Sequence, residues 1–333
     1  MNMGLSIYSR APVRICDIGG WTDTWFCKNG AVFNICVDLY SYVRIVENDL
    51  NKIRIYSDNL ELNTEIKNLN KIEYDGTLDL LKAAVKRMSI KKGIDIYVRA
   101  ESPPGSGTGT SASVAVSLIA ALAKYLKIDL NNYEIAKLAH KLEIEELKLE
   151  SGVQDQYAAA YGGINFMEID YPSVKIYSID LDESIKYELE RQLILVYLSS
   201  RSSSEMHKAV IENYLNNNSN TLESFQIMKD CAYEMKTAIK SNLVDVGDVI
   251  NRNWEAQKKL HPLMVNPAIA HLERLVKDYG AIGFKCNGAG GGGSATILAG
   301  VGNEYILSKE IIKAGYKILP CKLSFKGVSC YYK

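Results

Sequence analysis

The stretch Ser102–Ser113, SPPGSGTGTSAS, runs directly into the apolar segment VAVSLIAALAKYL. It follows GIDIYVRAES, whose β-forming residues predict a strand. Gly105, Gly107 and Gly109 alternate with polar residues, and the apolar segment predicts a helix over residues 111–126. A strand, a glycine-rich loop and a helix therefore follow one another here.

This glycine-rich loop has the composition of a phosphate-binding loop. A helix N-terminus presents unpaired N–H groups and partial positive charge, and glycines let the backbone approach an anion closely. Thr108, Thr110 and Ser111 add hydroxyls that suit a triphosphate and Mg²⁺. The loop is not a Walker A loop, because no GKS or GKT ends it, and it does not match GxGxxG. The alternative is a flexible loop that ends in a good helix N-cap.

Length and composition exclude several classes of protein. The chain has 333 residues, of which 47% are hydrophobic and 23% charged, as expected for a soluble protein of two domains. Lys+Arg and Asp+Glu both number 39, so no overall charge favours nucleic acid or an anionic membrane. Seven scattered cysteines and the absence of a signal-peptide pattern predict reduced thiols and a cytoplasmic protein.

The pattern of elements changes along the chain. Strand-like segments alternate with helices up to about residue 190, and residues 203–279 are mostly helical. One of the predicted helices covers residues 133–149, with Asn131 or Asn132 as its N-cap. This order predicts an α+β protein with domains at residues 1–190 and 191–333. The later run NGAGGGG, residues 287–293, indicates a close approach of the backbone to another group, although a bulge or hairpin would also account for it.

Two further segments carry candidate functional residues. In RAPVRICDIGGWTDT, Arg14 lies on a predicted strand that ends at Gly19 and Gly20, and Asp23 follows a tight turn. In ESGVQDQYAAAYGG, Asp155 comes directly before a short apolar helix. An aspartate at such a position is usually a helix N-cap, so this segment alone favours a structural role.

Together these segments resemble the GHMP kinases, the superfamily that includes galactokinase, homoserine kinase, mevalonate kinase and phosphomevalonate kinase. PPGSGTGTSA, residues 103–112, matches the family loop P-x-G-x-G-[LT]-[GS]-[ST]-[SA]-A, and KCNGAGGGG, residues 285–293, matches its late glycine motif. The opening segment is similar to the sugar-kinase motif, and GVQDQY to the segment of the catalytic aspartate. The resemblance implies an α+β fold with an N-terminal ribosomal-protein-S5-like domain and a C-terminal ferredoxin-like domain.

Within the superfamily, GGWTD, QDQYAAAYGG and SSRSSSEMH are most similar to the sugar 1-kinase branch that contains D-glycero-D-manno-heptose 7-phosphate kinase and L-fucokinase. The resemblance implies transfer of the ATP γ-phosphoryl group to a sugar hydroxyl, first of all the anomeric C1-OH, with Mg²⁺ as cofactor. Two positions depart from the family pattern. Gly20 stands where galactokinases carry glutamate, and Asp17 stands where an apolar strand residue is usual.

The resemblance also implies roles for individual residues. Asp155 would take or orient the proton of the acceptor hydroxyl, and Arg14 would hold Asp155 ionised and stabilise the transferred phosphoryl group. Ser111 would ligate Mg²⁺ together with a glutamate of the preceding helix, where the spacing favours Glu143 among Glu143, Glu145, Glu146 and Glu150. Several glutamates on one helix are more often a solvated face.

The implied ATP-binding residues are Pro104, Gly105, Ser106, Gly107, Thr108, Gly109, Thr110, Ser111 and Ala112. The implied sugar-binding residues are Asp23, which would accept hydrogen bonds from sugar hydroxyls, and Gly20, Trp21, Thr22, Arg201, Gly288, Ala289, Gly290 and Gly291.

The identity of the acceptor stays open at this stage. A heptose 7-phosphate requires a second anion site, for which Arg201, Lys285 and Lys258 are candidates, whereas L-fucose or galactose requires none. The segment that contains Arg201, SSRSSSE, also fits a simple helix cap formed by Ser203 or Ser204. We expect a small-molecule partner, no nucleic acid or membrane, and a monomer or homodimer. A kinase of a non-sugar alcohol, a decarboxylase and a non-catalytic regulator are disfavoured by the opening motif and by the presence of both Asp155 and Arg14.

Overall fold

The computed structural model describes residues 6–68, 71–200 and 204–333. Its strands are β1 (Ser6–Ile18), β2 (Asn29–Glu47), β3 (Ile53–Ser57), β4 (Leu62–Ile66), β5 (Ile94–Ala100), β6 (Ile164–Asp170), β7 (Ser173–Ile179), β8 (Leu193–Ser199), β9 (Ala281–Cys286), β10 (Gly293–Ala299), β11 (Lys317–Leu319) and β12 (Ser329–Tyr332). Its helices are α1 (Asp79–Arg87), α2 (Thr110–Leu126), α3 (Asn132–Lys141), α4 (Gln154–Tyr161), α5 (Glu183–Gln192), α6 (Ser204–Leu215), α7 (Ser219–Ala238), α8 (Leu243–Lys258), α9 (Pro267–Asp278) and α10 (Glu304–Lys313).

The strands form two sheets. The first has eight strands in the order β12-β1-β2-β5-β3-β4, with β6 paired to β2 and to β7. The second has four strands in the order β11-β8-β10-β9. The predicted α+β class is confirmed. The boundary near residue 190 stays a prediction; β8 opens the second sheet at Leu193, and the last strand, β12, returns to pair with β1 of the first sheet.

The two long strands β1 and β2 carry the first sheet between two layers of apolar packing. On one side, α1, α2 and α4 bury residues such as Val116, Ile119 and Tyr157 in a core with the first sheet. On the other side, Ile15 and Phe33 share a second core with residues of α7 and α8. The end of β1 is therefore enclosed by residues from both parts of the chain, which matters for Arg14 and Asp17.

Local sequence explains where the helices near the glycine-rich loop begin and end. The helix predicted over residues 111–126 is confirmed as α2, within one residue. Helix α3 starts at a capping box in which Asn131 and Glu134 bond each other's backbone N–H groups. The prediction that this helix continues to residue 149 is wrong. A π-helical turn covers Leu142–Glu146, and the chain then turns at Lys148, whose φ is 56°.

Among residues 6–68, 71–200 and 204–333, no helix combines the length and the apolar character needed to cross a bilayer.

Candidate active site

The glycine-rich loop is held in shape by its own hydroxyl groups. The hydroxyls of Ser102, Ser106 and Thr108 lie 2.8 Å from one another, and Thr110 extends this cluster at 3.1 Å from Thr108. The N-cap residue of α2 is Gly109, with φ of 72° and no side-chain cap bond. The hydroxyls therefore do not cap α2, contrary to the N-cap alternative, and the first turn of the helix has no side-chain acceptor of its own.

The second glycine run packs directly against this loop. A Cβ on Gly107 would lie only 2.5 Å from the carbonyl oxygen of Asn287. The hydroxyl of Ser294 donates to the carbonyl of Ser106 at 2.8 Å, and a Cβ on Gly293 would lie 2.7 Å from that same oxygen. The close approach expected from residues 287–293 is thus an approach of one glycine segment to the other.

A cavity of about 380 Å³, the loop cavity, opens beside the glycine-rich loop. Apolar side chains from α1, α2 and β5 form one wall, among them Leu78, Leu81, Val98 and Val114. Seven of the nine expected ATP-binding residues line it: Pro104, Gly105, Ser106, Gly107, Gly109, Thr110 and Ser111. The other two, Thr108 and Ala112, are buried in the fold behind the loop.

A second cavity of about 110 Å³, the acidic cavity, lies on the other side of Asp155. Its carboxylates come from Asp17, Asp23, Glu150 and Asp155, and Arg14 is the only lysine or arginine among the described residues that line it. Aromatic and apolar groups complete the wall: Trp21, Trp25, Phe26, His207, Ile211 and Ala289. This mixture of carboxylates and ring faces suits a neutral ligand with several hydroxyls.

Arg14 and Asp155 line both cavities and are the only residues that do so in the described part of the chain. Nε of Arg14 donates to Oδ1 of Asp155 at 2.8 Å, and Nη1 donates to the carbonyl of Gly107. Burial alone would lower the pKa of Arg14, but the charges of Asp155 and Asp17 raise it above its usual value. The guanidinium therefore stays charged where the two cavities meet.

Asp155 does not cap the helix that it begins. The N-cap of α4 is Val153, with no side-chain cap bond, and Asp155 lies in the first helical turn with its side chain 28% exposed. The structural role favoured by the local pattern is therefore wrong. The carboxylate faces Arg14 and the cavities, as the resemblance to the kinases implied.

Two other carboxylates are buried close to Asp155. Asp23 accepts a hydrogen bond from the backbone N–H of Gln154 at 3.0 Å, and burial raises its pKa to about 6. Glu143 accepts from the side chain of Gln156 at 2.8 Å and from the hydroxyl of Ser151, and burial raises its pKa to about 7. Asp23 lines the acidic cavity, whereas Glu143 lines neither cavity.

Part of this arrangement is similar to a known protein domain. Residues 76–163, which include the glycine-rich loop, α2, α3 and Asp155, match the model of the GHMP kinases N terminal domain. The chain therefore contains a GHMP kinase N-terminal domain. It is 29% identical to D-glycero-alpha-D-manno-heptose 7-phosphate kinase of Campylobacter jejuni, over 98% of this chain and 99% of that protein.

Other relatives of this chain are named for different acceptors. It is 28% identical to the bifunctional fucokinase/GDP-fucose pyrophosphorylase of Arabidopsis thaliana, over 86% of this chain but only 29% of that protein. A crystal structure described as a D-glycero-D-manno-heptose 1-phosphate kinase from Bacteriodes thetaiotaomicron superimposes with a TM-score of 0.81 at 23% identity, covering 98% of both chains. At that identity, the structural likeness supports the fold.

Asp17, one of the two departures from the family pattern, pairs with a buried lysine of the second glycine motif. Nζ of Lys285 donates to Oδ1 of Asp17 at 2.9 Å, and the N–H of Gly288 donates to both carboxylate oxygens. Burial would raise the pKa of Asp17, but Lys285, Arg14 and these hydrogen bonds hold it below its usual value. Sequence reasoning left the role of Asp17 open because its partner is 268 positions away.

Some residues expected to bind sugar lie elsewhere in this protein. The hydroxyl of Thr22 is buried and donates to the carbonyl of Gly19 at 2.7 Å. Gly290 and Gly291 pack against the 3-10 turn Pro262–Met264 rather than the acidic cavity. Gly20 lies beside the carboxylate of Asp17 without lining that cavity. Trp21, Asp23, Gly288 and Ala289 do line it, and Arg201 lies outside the described residues.

Candidate metal ligands are few. In the ranges that the structure describes, no group of three or more His, Cys, Asp and Glu residues lies close enough to hold a metal. Ser111 is exposed in the loop cavity together with Asp155. Glu145 and Glu146 instead pair with Arg87 and Lys86. This donor set fits Mg²⁺ that arrives with nucleotide phosphates and takes only one or two protein ligands.

Sequence reasoning did not find several residues that line the acidic cavity. Trp25 and Phe26 follow Asp23 closely in the sequence, so two aromatic rings directly after a candidate sugar-binding carboxylate were an available signal. His207 and Ile211, one turn apart on α6, carried no signal that sets them apart from the rest of that helix.

Proposed function

We propose that this protein is a sugar kinase of the GHMP type that transfers the γ-phosphoryl group of ATP to a sugar hydroxyl. The anomeric C1-OH is the first candidate for that hydroxyl. The observation that carries the proposal is the meeting of the loop cavity and the acidic cavity at Arg14 and Asp155. A phosphoryl donor on one side and a hydroxylated acceptor on the other would thus react beside one carboxylate and one guanidinium. Phosphoryl transfer depends mainly on such positioning and on neutralisation of charge.

The loop cavity is proposed to hold the nucleotide. Gly105, Gly107 and Gly109 have φ values of 70°, 75° and 72°, a conformation that glycine adopts readily and that turns the backbone around a concave surface. The N-terminus of α2 contributes N–H groups and partial positive charge at the end of this loop. The apolar side chains of the opposite wall, such as Leu78 and Leu81, suit the face of a base.

Asp155 and Arg14 are the proposed catalytic residues. The acceptor oxygen attacks the γ-phosphorus, the bond from that phosphorus to the leaving ADP oxygen breaks, and the hydroxyl proton passes to the carboxylate of Asp155. Arg14 keeps Asp155 ionised before transfer, because its Nε bonds that carboxylate. Its positive charge also lies where negative charge accumulates on the transferred group.

Mg²⁺ is proposed as the cofactor, held by Ser111, whereas Glu143, the second expected ligand, lines neither cavity and is bonded to Ser151 and Gln156. When bound with ATP, the ion would neutralise negative charge on the phosphates. Ser111 already faces the loop cavity. Glu143 is a buried carboxylate whose pKa of about 7 is raised by burial, and the charge of Asp155 contributes to that rise. A divalent cation nearby would favour its ionised form.

Two acceptors are candidates. The 29% identity over nearly the whole length of a heptose 7-phosphate kinase makes a heptose 7-phosphate the first. An unphosphorylated sugar such as L-fucose is the second, and the charge of the acidic cavity favours it. Two cations once considered for a phosphate are already neutralised: Lys285 bonds Asp17, and Lys258 pairs with Glu255 and Glu273.

The test is a coupled assay of ADP release with Mg²⁺-ATP and a panel of free and phosphorylated sugars, followed by NMR of the product to locate the phosphate. We expect turnover with a sugar and a C1 phosphate in the product. Asp155→Asn should lose turnover but keep ATP binding, while Asp170→Asn, at an exposed strand end, should behave as wild type. Tight ATP binding without turnover on any sugar, or an active Asp155→Asn variant, would contradict the proposal.

A further inference from the structure

Asp17, Lys285 and Arg14 form a buried cluster of charges at the end of β1. Their side chains are almost completely enclosed: 1% of Asp17, 0% of Lys285 and 5% of Arg14 is exposed. Burying charged groups is costly unless each one is paired. The pairing of these three charges therefore shows which group neutralises which in the protein interior.

Three positive or hydrogen-bond-donating groups converge on the carboxylate of Asp17. Nζ of Lys285 lies 2.9 Å from Oδ1, and Nη1 of Arg14 lies 3.7 Å from the same oxygen. The backbone N–H of Gly288 lies 3.1 Å from Oδ1 and 3.0 Å from Oδ2. An ammonium, a guanidinium and a backbone N–H that point at one place are the usual components of an anion-binding site.

Asp17 is the only carboxylate that pairs with Lys285 in the described part of the chain. The other hydrogen bond of Lys285 goes to the backbone carbonyl of Cys286 at 2.8 Å. Arg14, by contrast, has Asp155 as its closer partner. Without the carboxylate of Asp17, the charge of Lys285 would have no counter-charge in the protein interior.

This cluster also forms part of the acidic cavity, because Arg14, Asp17 and Gly288 all line it. An acceptor bound there would meet a corner that contains two cations and an N–H group but that is already filled by the protein's own carboxylate. A phosphate on the acceptor would meet the negative charge of Asp17 at this corner, together with those of Asp23 and Glu150.

We propose that the carboxylate of Asp17 is an internal anion that fills an anion-binding site, the anion corner, made by Lys285, Arg14 and the N–H of Gly288. By filling this corner of the acidic cavity, Asp17 determines specificity for an acceptor that carries no charge where it contacts the corner. The first half concerns the folded protein alone. The second half rests on the proposed sugar kinase function.

The first half is tested by replacing the carboxylate with a small anion from solution. Asp17→Ala should unfold at a lower temperature than wild type. Added sodium formate should raise this unfolding temperature towards the wild-type value, and the effect should saturate as the formate concentration rises. Sodium chloride at the same ionic strength should restore less. Wild type, whose corner is filled, should respond to the two salts alike.

Two further variants separate this effect from general stabilisation by salt. Asp17→Ala/Lys285→Met also lacks the ammonium group of Lys285 and should show no specific response to formate. Asp95→Ala removes the partner of Arg54, a residue that is 31% exposed, and should likewise show no saturable response to formate. If Asp17→Ala folds only with an added anion, refolding from urea with formate and with chloride gives the same comparison. Equal recovery in both salts, or in neither, overturns the proposal.

The second half is tested by kinetics on the same variants. Wild type should use an unphosphorylated sugar at least roughly 100-fold better, in kcat/KM, than the same sugar with a phosphate remote from the reacting hydroxyl. In Asp17→Ala this preference should shrink, and inorganic phosphate should become an inhibitor competitive with the sugar. A wild type that prefers the phosphorylated sugar overturns the specificity role but not the anion corner. Absence of sugar kinase activity in wild type, with intact rescue of Asp17→Ala by formate, would instead contradict the proposed function and leave the anion corner in place.

Discussion

The contact between the two glycine segments predicts that Gly107→Ala disrupts the glycine-rich loop. Gly107 has a φ of 75°, and a Cβ there would lie 2.5 Å from the carbonyl oxygen of Asn287 and 3.2 Å from its carbon. Both neighbouring atoms belong to the backbone, so no side chain can rotate away. The added methyl group must push residues 105–109 and 287–293 apart.

The magnitude follows from two effects. An L-residue with a left-handed conformation costs about 1–2 kcal/mol. Overpacking against a backbone that cannot relax adds about 1–3 kcal/mol. Gly107→Ala should therefore lose about 2–5 kcal/mol of unfolding free energy. Gly302 is the matched control, because its φ is 81° and no atom lies within 4 Å of its would-be Cβ. Gly302→Ala should lose only the first contribution.

The measurements are chemical denaturation and ATP binding by calorimetry. Gly302→Ala should bind ATP as wild type does, whereas separation of the two glycine segments should weaken ATP binding in Gly107→Ala by about tenfold or more, since about 1.4 kcal/mol is a factor of ten. Equal losses of stability in the two variants would refute the role of the Asn287 contact. Unchanged ATP affinity in Gly107→Ala would place the phosphates away from this loop.

Substitutions at the charged residues have separate expected outcomes. Since burial raises the pKa of Glu143 from 4.5 to about 7, the folded state holds a proton that the unfolded state has lost, and stability falls as the pH rises through this range. Glu143→Gln should remove this loss and raise the free energy of unfolding by at most about 3 kcal/mol over wild type at pH 8, with little gain at pH 4. A gain that does not depend on pH would contradict the raised pKa of Glu143. Asp155→Asn should lower kcat about 100-fold or more with ATP affinity unchanged, measured by steady-state kinetics and calorimetry, and wild-type turnover would remove it from the mechanism. Arg14→Lys keeps the charge but loses the two-pronged contact with Asp155 and Gly107, so kcat should fall about 100-fold, and an unchanged kcat would show that charge alone suffices.

Local sequence was sufficient where local interactions decide the structure. The beginning of α2 follows from the change from glycines to apolar residues, and the beginning of α3 follows from the capping pair Asn131 and Glu134. The end of α3 was not predictable in this way. The π-helical turn Leu142–Glu146 follows it, and tertiary contacts hold that turn, including the bond from Arg87 to Glu145 and that from Lys86 to Glu146.

Asp155 shows why the candidate site was only partly predictable. Its immediate neighbours favour an N-cap, and only the resemblance to a family pointed to catalysis. In the folded protein its partner is Arg14, which is 141 positions away. The partners of Asp17 are equally distant in the sequence, because Lys285 and Gly288 come from the far end of the chain. Pairings of this kind depend on how β1 packs between the two halves, which no local pattern encodes.

The second glycine run links both cavities to the same short segment. Its N-terminal residue, Asn287, contacts Gly107 of the glycine-rich loop, and its next residue, Gly288, donates to Asp17 in the acidic cavity. Asn287 also accepts from the backbone N–H of Cys16, so this segment is bonded to two adjacent residues of β1, Cys16 and Asp17, that follow Arg14 closely. A shift of Asn287 would therefore move the glycine-rich loop and one wall of the acidic cavity together. At the end of this run, Gly293 is required because its backbone lies against that of Ser106, where a Cβ would meet the carbonyl oxygen at 2.7 Å.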